Sequence, residues 1–309
     1  MDKVLFHTFT TDGYIPWAEL YLESLRYHYG DKVNVRIDSL NLNDAQVDLL
    51  KKIHSRLDLR NVCKDYGEAA REIDVSPDRF QRWQTELESG KINKDNYLFK
   101  IFISVNQRYR SMDEVIAEAI DSGFTYLIHS DVDAYFRRRL DCLFNILETN
   151  DLAAFFRNRS KSQEKILGAF LAFNLKGNIR EFVTEWMKQI DAVPFRSRWR
   201  GFGQSALWYA AQNTKGSVRV ADLSAYNGIY YSQMFEKKAH FWLGSNSISS
   251  RNDVPLKRGW SDFKKGFPRI GFANNPKKTK DIFLDKVCLF GDTAYMLARK
   301  LKRKLRVRD

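Results

Sequence analysis

The chain has 309 residues, of which 44% are hydrophobic and 14% aromatic, so it can bury a sizeable core and is not an intrinsically disordered protein. Its three cysteines (Cys63, Cys142 and Cys288) form no Cys-x-x-Cys pair, which argues against a structural zinc site or a disulfide framework and favours a reducing compartment. The formal net charge of +13 calls for an anionic partner or surface.

The first residues contain no long apolar segment, and Val4-Leu5-Phe6 has the pattern of a core strand rather than of a signal peptide. No run approaches the roughly 20 apolar residues that are needed to cross a bilayer. We therefore expect a soluble, cytoplasmic protein.

The N-terminal part of the chain predicts a strand, a helix and a second strand. An apolar strand over residues 3–8 leads into a polar loop over residues 8–14. Pro16 is placed to begin a helix that Gly30 ends, and residues 33–37 alternate as a strand. This order is typical of a βαβ unit in a parallel sheet, which binds ligands at the carboxyl ends of its strands.

The next segments predict mostly helix. Residues 43–59 have an amphipathic pattern, and Ser76-Pro77 begins another helix. Residues 97–103 are apolar around one lysine and fit a helix or a strand. Ser111 and Glu114 have the spacing of a capping box that opens a helix ending near Ile120.

A short apolar strand over residues 126–130 then ends in two acids, Asp131 and Asp133. On an extended chain residues i and i+2 project to the same side, so the two carboxylates should lie together. Converging carboxylates repel each other unless a cation lies between them, and a hard divalent cation with oxygen ligands fits that position. An ordinary polar turn is the alternative interpretation.

The second half of the chain continues the alternation of strands and helices. We predict a helix near Leu140, strands over residues 152–156 and 167–175, helices over 179–190 and 202–211, and a strand over 218–220. Residues 226–281 are irregular, and long irregular segments in compact domains are usually functional.

Several segments, in this order, resemble the GT-A class of nucleotide-sugar glycosyltransferases, and in particular glycosyltransferase family 8 and its neighbours. They are the first strand and loop over residues 5–14, the acidic strand end over 126–133, the Leu-x-x-Leu-Phe of residues 140–144, and the segments 168–174, 203–207 and 240–244. Together they cover most of residues 3–260. One departure is that Gly203 stands where the family usually has an acid.

The resemblance implies an α/β fold of GT-A type, Rossmann-like, with a mixed but mainly parallel sheet flanked by helices. The terminal charges add a basic C-terminal helix or tail. Residues 1–280 are expected to form one catalytic domain, with a nucleotide-binding half over 1–145 and an acceptor half over 146–280. The basic helix or tail would occupy residues 281–309.

The resemblance also implies a set of site residues. Asp131, Asp133 and His240 would hold Mn²⁺ or Mg²⁺ on the donor diphosphate. The nucleotide-sugar donor would contact Thr8, Phe9, Thr10, Tyr14, Asp131 and Asn174, and Gln204 would present its amide to the sugar or to the developing charge. Apart from the resemblance, Lys100 is a charge inside an apolar run and would bind the donor diphosphate.

For three of these residues the sequence leaves a structural role open. His240 could be a hydrogen-bonded histidine packed among aromatic residues, Lys100 could extend its charge from a helix edge into solvent, and Gln204 could cap a helix. The other four histidines, at positions 7, 28, 54 and 129, are expected to be structural.

The C-terminal residues carry much of the excess positive charge. Seven cations lie among the last eleven residues: Arg299, Lys300, Lys302, Arg303, Lys304, Arg306 and Arg308. Leucines interleave with them at helical spacing, which suits an anionic membrane surface; a solvated charge run is the alternative.

The sequence therefore predicts a metal-dependent hexosyltransferase that uses a nucleotide-diphosphate sugar, with UDP as the favoured nucleotide. The acceptor would be a glycolipid or cell-surface polysaccharide precursor at the cytoplasmic face of the membrane. A sugar-nucleotide pyrophosphorylase is disfavoured because the loop after the first strand has a single glycine, Gly13. A nucleic-acid-binding protein is disfavoured because the charge is concentrated in the tail.

Overall fold

The computed structural model describes residues 3–72, 81, 85, 94–156, 165–193, 202–225, 231–232 and 241–243. His240, the start of the predicted helix at Ser76, and the basic tail lie outside these residues. In the described ranges strands and helices alternate, as the periodicity of the sequence predicted.

Ten strands are present in the described part of the chain. They are β1 (Val4–Thr11), β2 (Asn34–Leu40), β3 (Leu57–Cys63), β4 (Tyr126–Ser130), β5 (Ala134–Phe136), β6 (Leu152–Phe156), β7 (Ile166–Asn174), β8 (Val220–Asp222), β9 (Tyr231–Ser232) and β10 (Phe241–Leu243).

Seven α-helices lie among the same residues. They are α1 (Ile15–Tyr29), α2 (Asp44–Lys51), α3 (Tyr66–Glu72), α4 (Lys94–Asp121), α5 (Asp141–Glu148), α6 (Ile179–Asp191) and α7 (Phe202–Asn213).

Seven of the described strands form one mixed sheet in the order β3-β2-β1-β4-β7-β6-β8. Strands β3, β2, β1 and β4 are mutually parallel, whereas β7 runs antiparallel to both β4 and β6. A smaller sheet has the order β5-β10-β9. The parallel half places the carboxyl ends of β1, β2 and β4 at one edge of the large sheet, where ligands of such sheets bind.

Helices cover both faces of the large sheet because its strands are apolar on both sides. On one face Phe6 and Ile128 pack with residues of α1 and α5. On the other face Leu5 and Leu127 pack with residues of α4, α6 and α7. This double coverage explains why the strands read as nearly continuous hydrophobic runs.

The structure corrects two predicted elements and decides a third that the sequence left open. Residues 43–59 are a short helix, α2, followed by strand β3, and the capping box of that region lies at Asn43 and Gln46. Ser111 does not open a helix, because α4 runs unbroken through it and its hydroxyl donates to the carbonyl of Arg108 at 3.0 Å. The ambiguous segment 97–103 is part of α4.

Strand β1 also extends further than predicted. Thr8 and Thr10, expected in a loop, are buried strand residues, because β1 pairs with β2 through Thr11. Among the described helices, none is both long and apolar enough to cross a membrane.

Candidate active site

The two acids of the Asp-x-Asp segment lie in a tight turn directly after β4. The amide of Asp131 donates to the carbonyl of Ala169 at 2.9 Å, and the amide of Ala134 donates back to the carbonyl of Asp131 at 3.0 Å. Val132 between the acids is buried and anchors the turn. The acids are thus presented by a turn rather than by the extended chain that the sequence suggested.

Arg108 of α4 is the cation that faces this turn. Its Nη1 donates to Oδ1 of Asp131, and its Nη2 donates to the hydroxyl of Tyr109 at 3.0 Å. Burial disfavours the charge on the guanidinium, but the carboxylates of Asp131 and Asp133 raise the pKa of Arg108 above its usual range. Asp131 is therefore held by a guanidinium, and the convergence of Asp131 and Asp133 on a metal stays a prediction.

Sequence reasoning missed Arg108. It lies in a polar stretch of a long helix, and nothing in its neighbourhood in the sequence distinguishes it from Arg110. Packing of α4 against β4 brings it to Asp131, across a separation of 23 residues.

The first turn of α7 borders the same site. Gln204 packs near Gly168 of β7, and its Oε1 is buried without a hydrogen-bond partner among the described residues. A buried carbonyl oxygen without a donor is costly to a fold unless a ligand supplies one. This arrangement favours a ligand contact for Gln204 over a capping role.

Gly203, which stands where glycosyltransferase family 8 usually has an acid, lies against Tyr109. A Cβ at position 203 would stand 2.0 Å from the phenol ring of Tyr109 and 2.2 Å from its oxygen. The packing of α4 on α7 therefore excludes any side chain at position 203.

The end of β1 holds a second polar group, centred on Asp12. Its carboxylate accepts from the Tyr66 hydroxyl at 3.2 Å, from the side-chain amide of Asn41 at 3.1 Å and from the backbone amide of Gly13 at 2.9 Å. Asn41 directly follows β2 and has a φ of 63°, the left-handed conformation that asparagine tolerates. Three donors thus hold Asp12 at the same sheet edge as Asp131.

The predicted nucleotide contacts divide into buried and exposed residues. Phe9 packs inside a cluster with Leu40 and Tyr66, and therefore does not offer a free face to a base. Thr8 and Thr10 are buried, and Thr8 Oγ1 has no hydrogen-bond partner in the described part of the chain. Tyr14, in a short turn after β1, is 37% exposed and remains the aromatic candidate of this loop.

Asn174 lies at the wrong edge of the sheet for the predicted sugar contact. Because β7 is antiparallel to β4, Asn174 pairs with Tyr126 at the start of β4, whereas Phe170 pairs with Ser130 at its end. The side chain of Asn174 donates to the carbonyl of Leu147 at 2.8 Å. The glycine end of this segment, at Gly168, reaches the site, and Asn174 does not.

Of the remaining predicted site residues, Lys100 lies in the described part of the chain and His240 lies outside it. Lys100 lies on α4, the helix that carries Arg108. Among the described residues, no group of three His, Cys, Asp or Glu side chains could hold a metal. The donor chemistry of Asp131 and Asp133 nevertheless fits Mn²⁺ or Mg²⁺, because two carboxylates on one turn supply hard oxygen ligands.

A buried polar network lies behind this site. His129 and His7 approach within 3.0 Å through their Nδ1 atoms, and Nε2 of His7 lies 3.2 Å from Asp38. Asp38 also accepts from Arg36 Nε at 2.7 Å, and Arg36 reaches Glu118 of α4. These contacts tie β4, β1 and β2 to α4, consistent with the predicted structural role of His7 and His129.

No family model matches the chain, and no curated protein matches it in sequence. Solved structures are similar to it in fold. The galactosyltransferase LgtC in complex with donor and acceptor sugar analogs matches with a TM-score of 0.51 and 11% identity, covering 88% of this chain and 100% of that chain.

The chain has the GT-A fold. An active-site mutant of LgtC, in which a glutamine is replaced by glutamate, matches with a TM-score of 0.50 and 11% identity, over 82% of this chain and 95% of that chain. The α/β, GT-A-like architecture that the sequence resemblance implied is therefore confirmed. Within this GT-A fold, Asp131, Arg108 and Gln204 lie where the carboxyl end of β4 meets β7 and α7.

Proposed function

We propose that this protein is a glycosyltransferase that transfers a hexose from a nucleotide-diphosphate donor, with UDP as the nucleotide, to a carbohydrate or glycolipid acceptor. The observation that carries the proposal is the turn after β4, where Asp131 accepts a hydrogen bond from the largely buried cation Arg108 and Asp133 follows two residues later. The GT-A fold and its similarity to a galactosyltransferase crystallised with sugar analogs support the same class of reaction.

Asp131 and Asp133 would hold Mn²⁺ or Mg²⁺, with His240 as a further candidate ligand. Such an ion supplies electrostatic stabilisation of the departing diphosphate. Arg108 orients the carboxylate of Asp131 through a charge-assisted hydrogen bond, so that this ligand is held before a donor binds. A preorganised ligand lowers the cost of binding.

Gln204 would act on the sugar. Its buried Oε1 lacks a donor among the described residues, and a sugar hydroxyl is a suitable donor. The partial negative charge of the same oxygen would also stabilise positive charge that develops near the anomeric carbon. The glutamine that is changed in the active-site mutant of LgtC is consistent with such a role.

The nucleotide would bind at the end of β1. Asp12, fixed by Tyr66 and Asn41, presents a carboxylate edge, and Tyr14 offers an exposed ring for stacking on the base. Lys100 would pair with the diphosphate.

The acceptor would be a glycolipid or polysaccharide precursor, met at an anionic membrane surface. The basic residues between 299 and 308 would hold the enzyme there, since each cation contributes on the order of 1 kcal/mol near such a surface. Nucleic acid is not an expected partner.

A donor-hydrolysis assay tests the proposal. Purified protein is incubated with UDP-hexoses, GDP-hexoses and CMP-linked sugars, each with Mn²⁺ or with EDTA, and release of the nucleotide is measured. Release of UDP in Mn²⁺ that stops in EDTA is expected. Absence of release from every donor, with or without a panel of glycolipid acceptors, would contradict the proposal.

A further inference from the structure

We propose that Tyr109 is a positioning residue of the donor site, and that glycine at position 203 is what allows it to act. The inference rests on the proposed glycosyltransferase function and deepens it. Tyr109 connects the first turn of α7, which carries Gln204, with the Arg108–Asp131 pair at the end of β4.

The ring of Tyr109 is held rigidly. It is 3% exposed, and it packs edge-on against Trp186 at 5.4 Å and against Phe202 at 5.8 Å between ring centroids. The phenol end of the ring packs directly against Gly203, where a Cβ would stand 2.0 Å from the ring carbons Cε2 and Cζ. Any residue with a Cβ at position 203 would overlap the Tyr109 ring, so the ring can occupy this position only because residue 203 is glycine.

The hydroxyl of Tyr109 is directed at the guanidinium of Arg108. It accepts from Nη2 of Arg108 at 3.0 Å, while Nη1 of Arg108 donates to Asp131. In the described part of the chain these are the two acceptors of the Arg108 guanidinium, and its Nε is buried without a partner. The Tyr109 hydroxyl therefore fixes the rotation of the guanidinium that orients Asp131.

The same hydroxyl lies near the sugar-side wall. It would be 3.9 Å from a Cβ at Gly168, and that position is also 3.5 Å from Cγ of Gln204. One phenol thus sets the spacing between the acid that is expected to bind metal and the amide that is expected to face the sugar. A small displacement of such groups reduces turnover strongly without abolishing binding.

Tyr109→Phe separates this role from packing, because the ring stays in place and only the hydroxyl is lost. We expect kcat for the UDP-sugar to fall roughly tenfold, the size typical of lost outer-shell partners. Because Asp131 keeps its hydrogen bond to Nη1 of Arg108, the affinity for UDP with Mn²⁺ should weaken by only about twofold to threefold, less than kcat falls, and the thermal midpoint should fall by only a few degrees. Tyr209→Phe, an exposed tyrosine on α7, is the matched control.

Gly203→Ala should displace the ring and lower kcat as well. In the double variant Tyr109→Phe with Gly203→Ala the losses should be less than additive, because both changes act through the same hydrogen bond. If Gly203→Ala does not fold, Tyr109→Phe alone decides.

The outcomes of these experiments distinguish a failure of the Tyr109 proposal from a failure of the proposed glycosyltransferase function. An active wild-type enzyme whose Tyr109→Phe variant keeps the wild-type kcat overturns the role of Tyr109 alone. A wild-type enzyme that neither binds UDP with Mn²⁺ nor turns over any donor overturns both proposals.

Discussion

Arg108 of α4 and Asp131 at the end of β4 form a half-buried charge-assisted hydrogen bond, although 23 residues separate them in sequence. The guanidinium thereby holds the first acid of the Asp-x-Asp turn in place. It also links the turn to the long helix that packs against the parallel strands. The catalytic proposal depends on this pair and on Asp133, two residues further along the same turn.

Removing either acid should abolish turnover while the fold is retained. Asp131→Asn and Asp133→Asn keep the side-chain volume but remove the charge that a divalent cation needs. We expect donor hydrolysis to fall by roughly a hundredfold or more, with a far-UV circular dichroism spectrum like that of the wild type. Asp141→Asn is the control, since Asp141 pairs with Arg139 on the surface. Turnover that survives both site substitutions would contradict the assignment.

Gln204→Ala should reduce turnover by roughly tenfold to a hundredfold, because the buried acceptor oxygen on the sugar side is lost. Gln212→Ala, at an exposed position on the same helix, should leave the rate unchanged. Steady-state kinetics with the UDP-sugar give the kcat of each variant for comparison with the wild type. Equal rates for both variants would show that Gln204 is only part of the helix start.

The order of elements was predictable from sequence because apolar periodicity marks most strands and helices. The failures have local causes. Residues 57–63 are a half-exposed edge strand, and the helix predicted over 43–59 was wrong because it ran into the first three residues of that strand. The capping box at Ser111 was a strong local signal, but packing of α4 along the sheet continues the helix through it.

The part of the candidate site that could be predicted consists of residues close together in sequence, such as Asp131 and Asp133. Arg108 and Asp12 depend on contacts between distant segments, which a single sequence does not show. Asn174 was misplaced because the reversed direction of β7 takes it to the opposite edge. The direction of a strand in a mixed sheet has no signature within the strand itself.

Asp38→Asn should destabilise the protein by about 3 kcal/mol, because the buried Arg36 loses its buried charge partner and keeps the half-exposed Glu118. Urea denaturation gives the free energy of unfolding. Asp58→Asn on the neighbouring edge strand removes a half-exposed pair with Arg60 and should cost no more than about 0.5 kcal/mol. Similar costs for the two variants would contradict the structural role of the buried network.

Stability should decline as the pH falls below about 6.5, in part because of His54. Burial lowers the pKa of His54 below its value of 6.5 in an unfolded chain, although Asp31 opposes the shift. The unfolded chain therefore takes up a proton that the folded chain does not, so acid favours unfolding, with a slope of up to about 1.4 kcal/mol per pH unit.

The variant His54→Asn can still accept the hydrogen bond from the amide of Arg56 that His54 Nδ1 accepts at 3.2 Å. Its free energy of unfolding should depend less steeply on pH between 7.5 and 5.5 than that of the wild type. If urea titrations give the wild type and His54→Asn the same dependence of unfolding free energy on pH, then His54 does not cause the loss of stability in acid.

Deleting residues 299–309 should abolish sedimentation with vesicles that contain anionic lipid, and should leave hydrolysis of a soluble donor unchanged. Neutral vesicles provide the control, since neither form should bind them. Retained binding of the truncated chain to anionic vesicles would place the membrane contact elsewhere.

Titration calorimetry of UDP with the wild-type protein and with Asp131→Asn, each with Mn²⁺ and with EDTA, tests the central claim most directly. The wild type is expected to bind UDP in Mn²⁺ and to lose at least tenfold in affinity in EDTA, whereas Asp131→Asn should bind UDP with the same weak affinity in both conditions. Binding of UDP by the wild type that is equally tight without metal, or metal-dependent binding that Asp131→Asn retains, would contradict the account of Asp131 and Asp133 as the metal-diphosphate site.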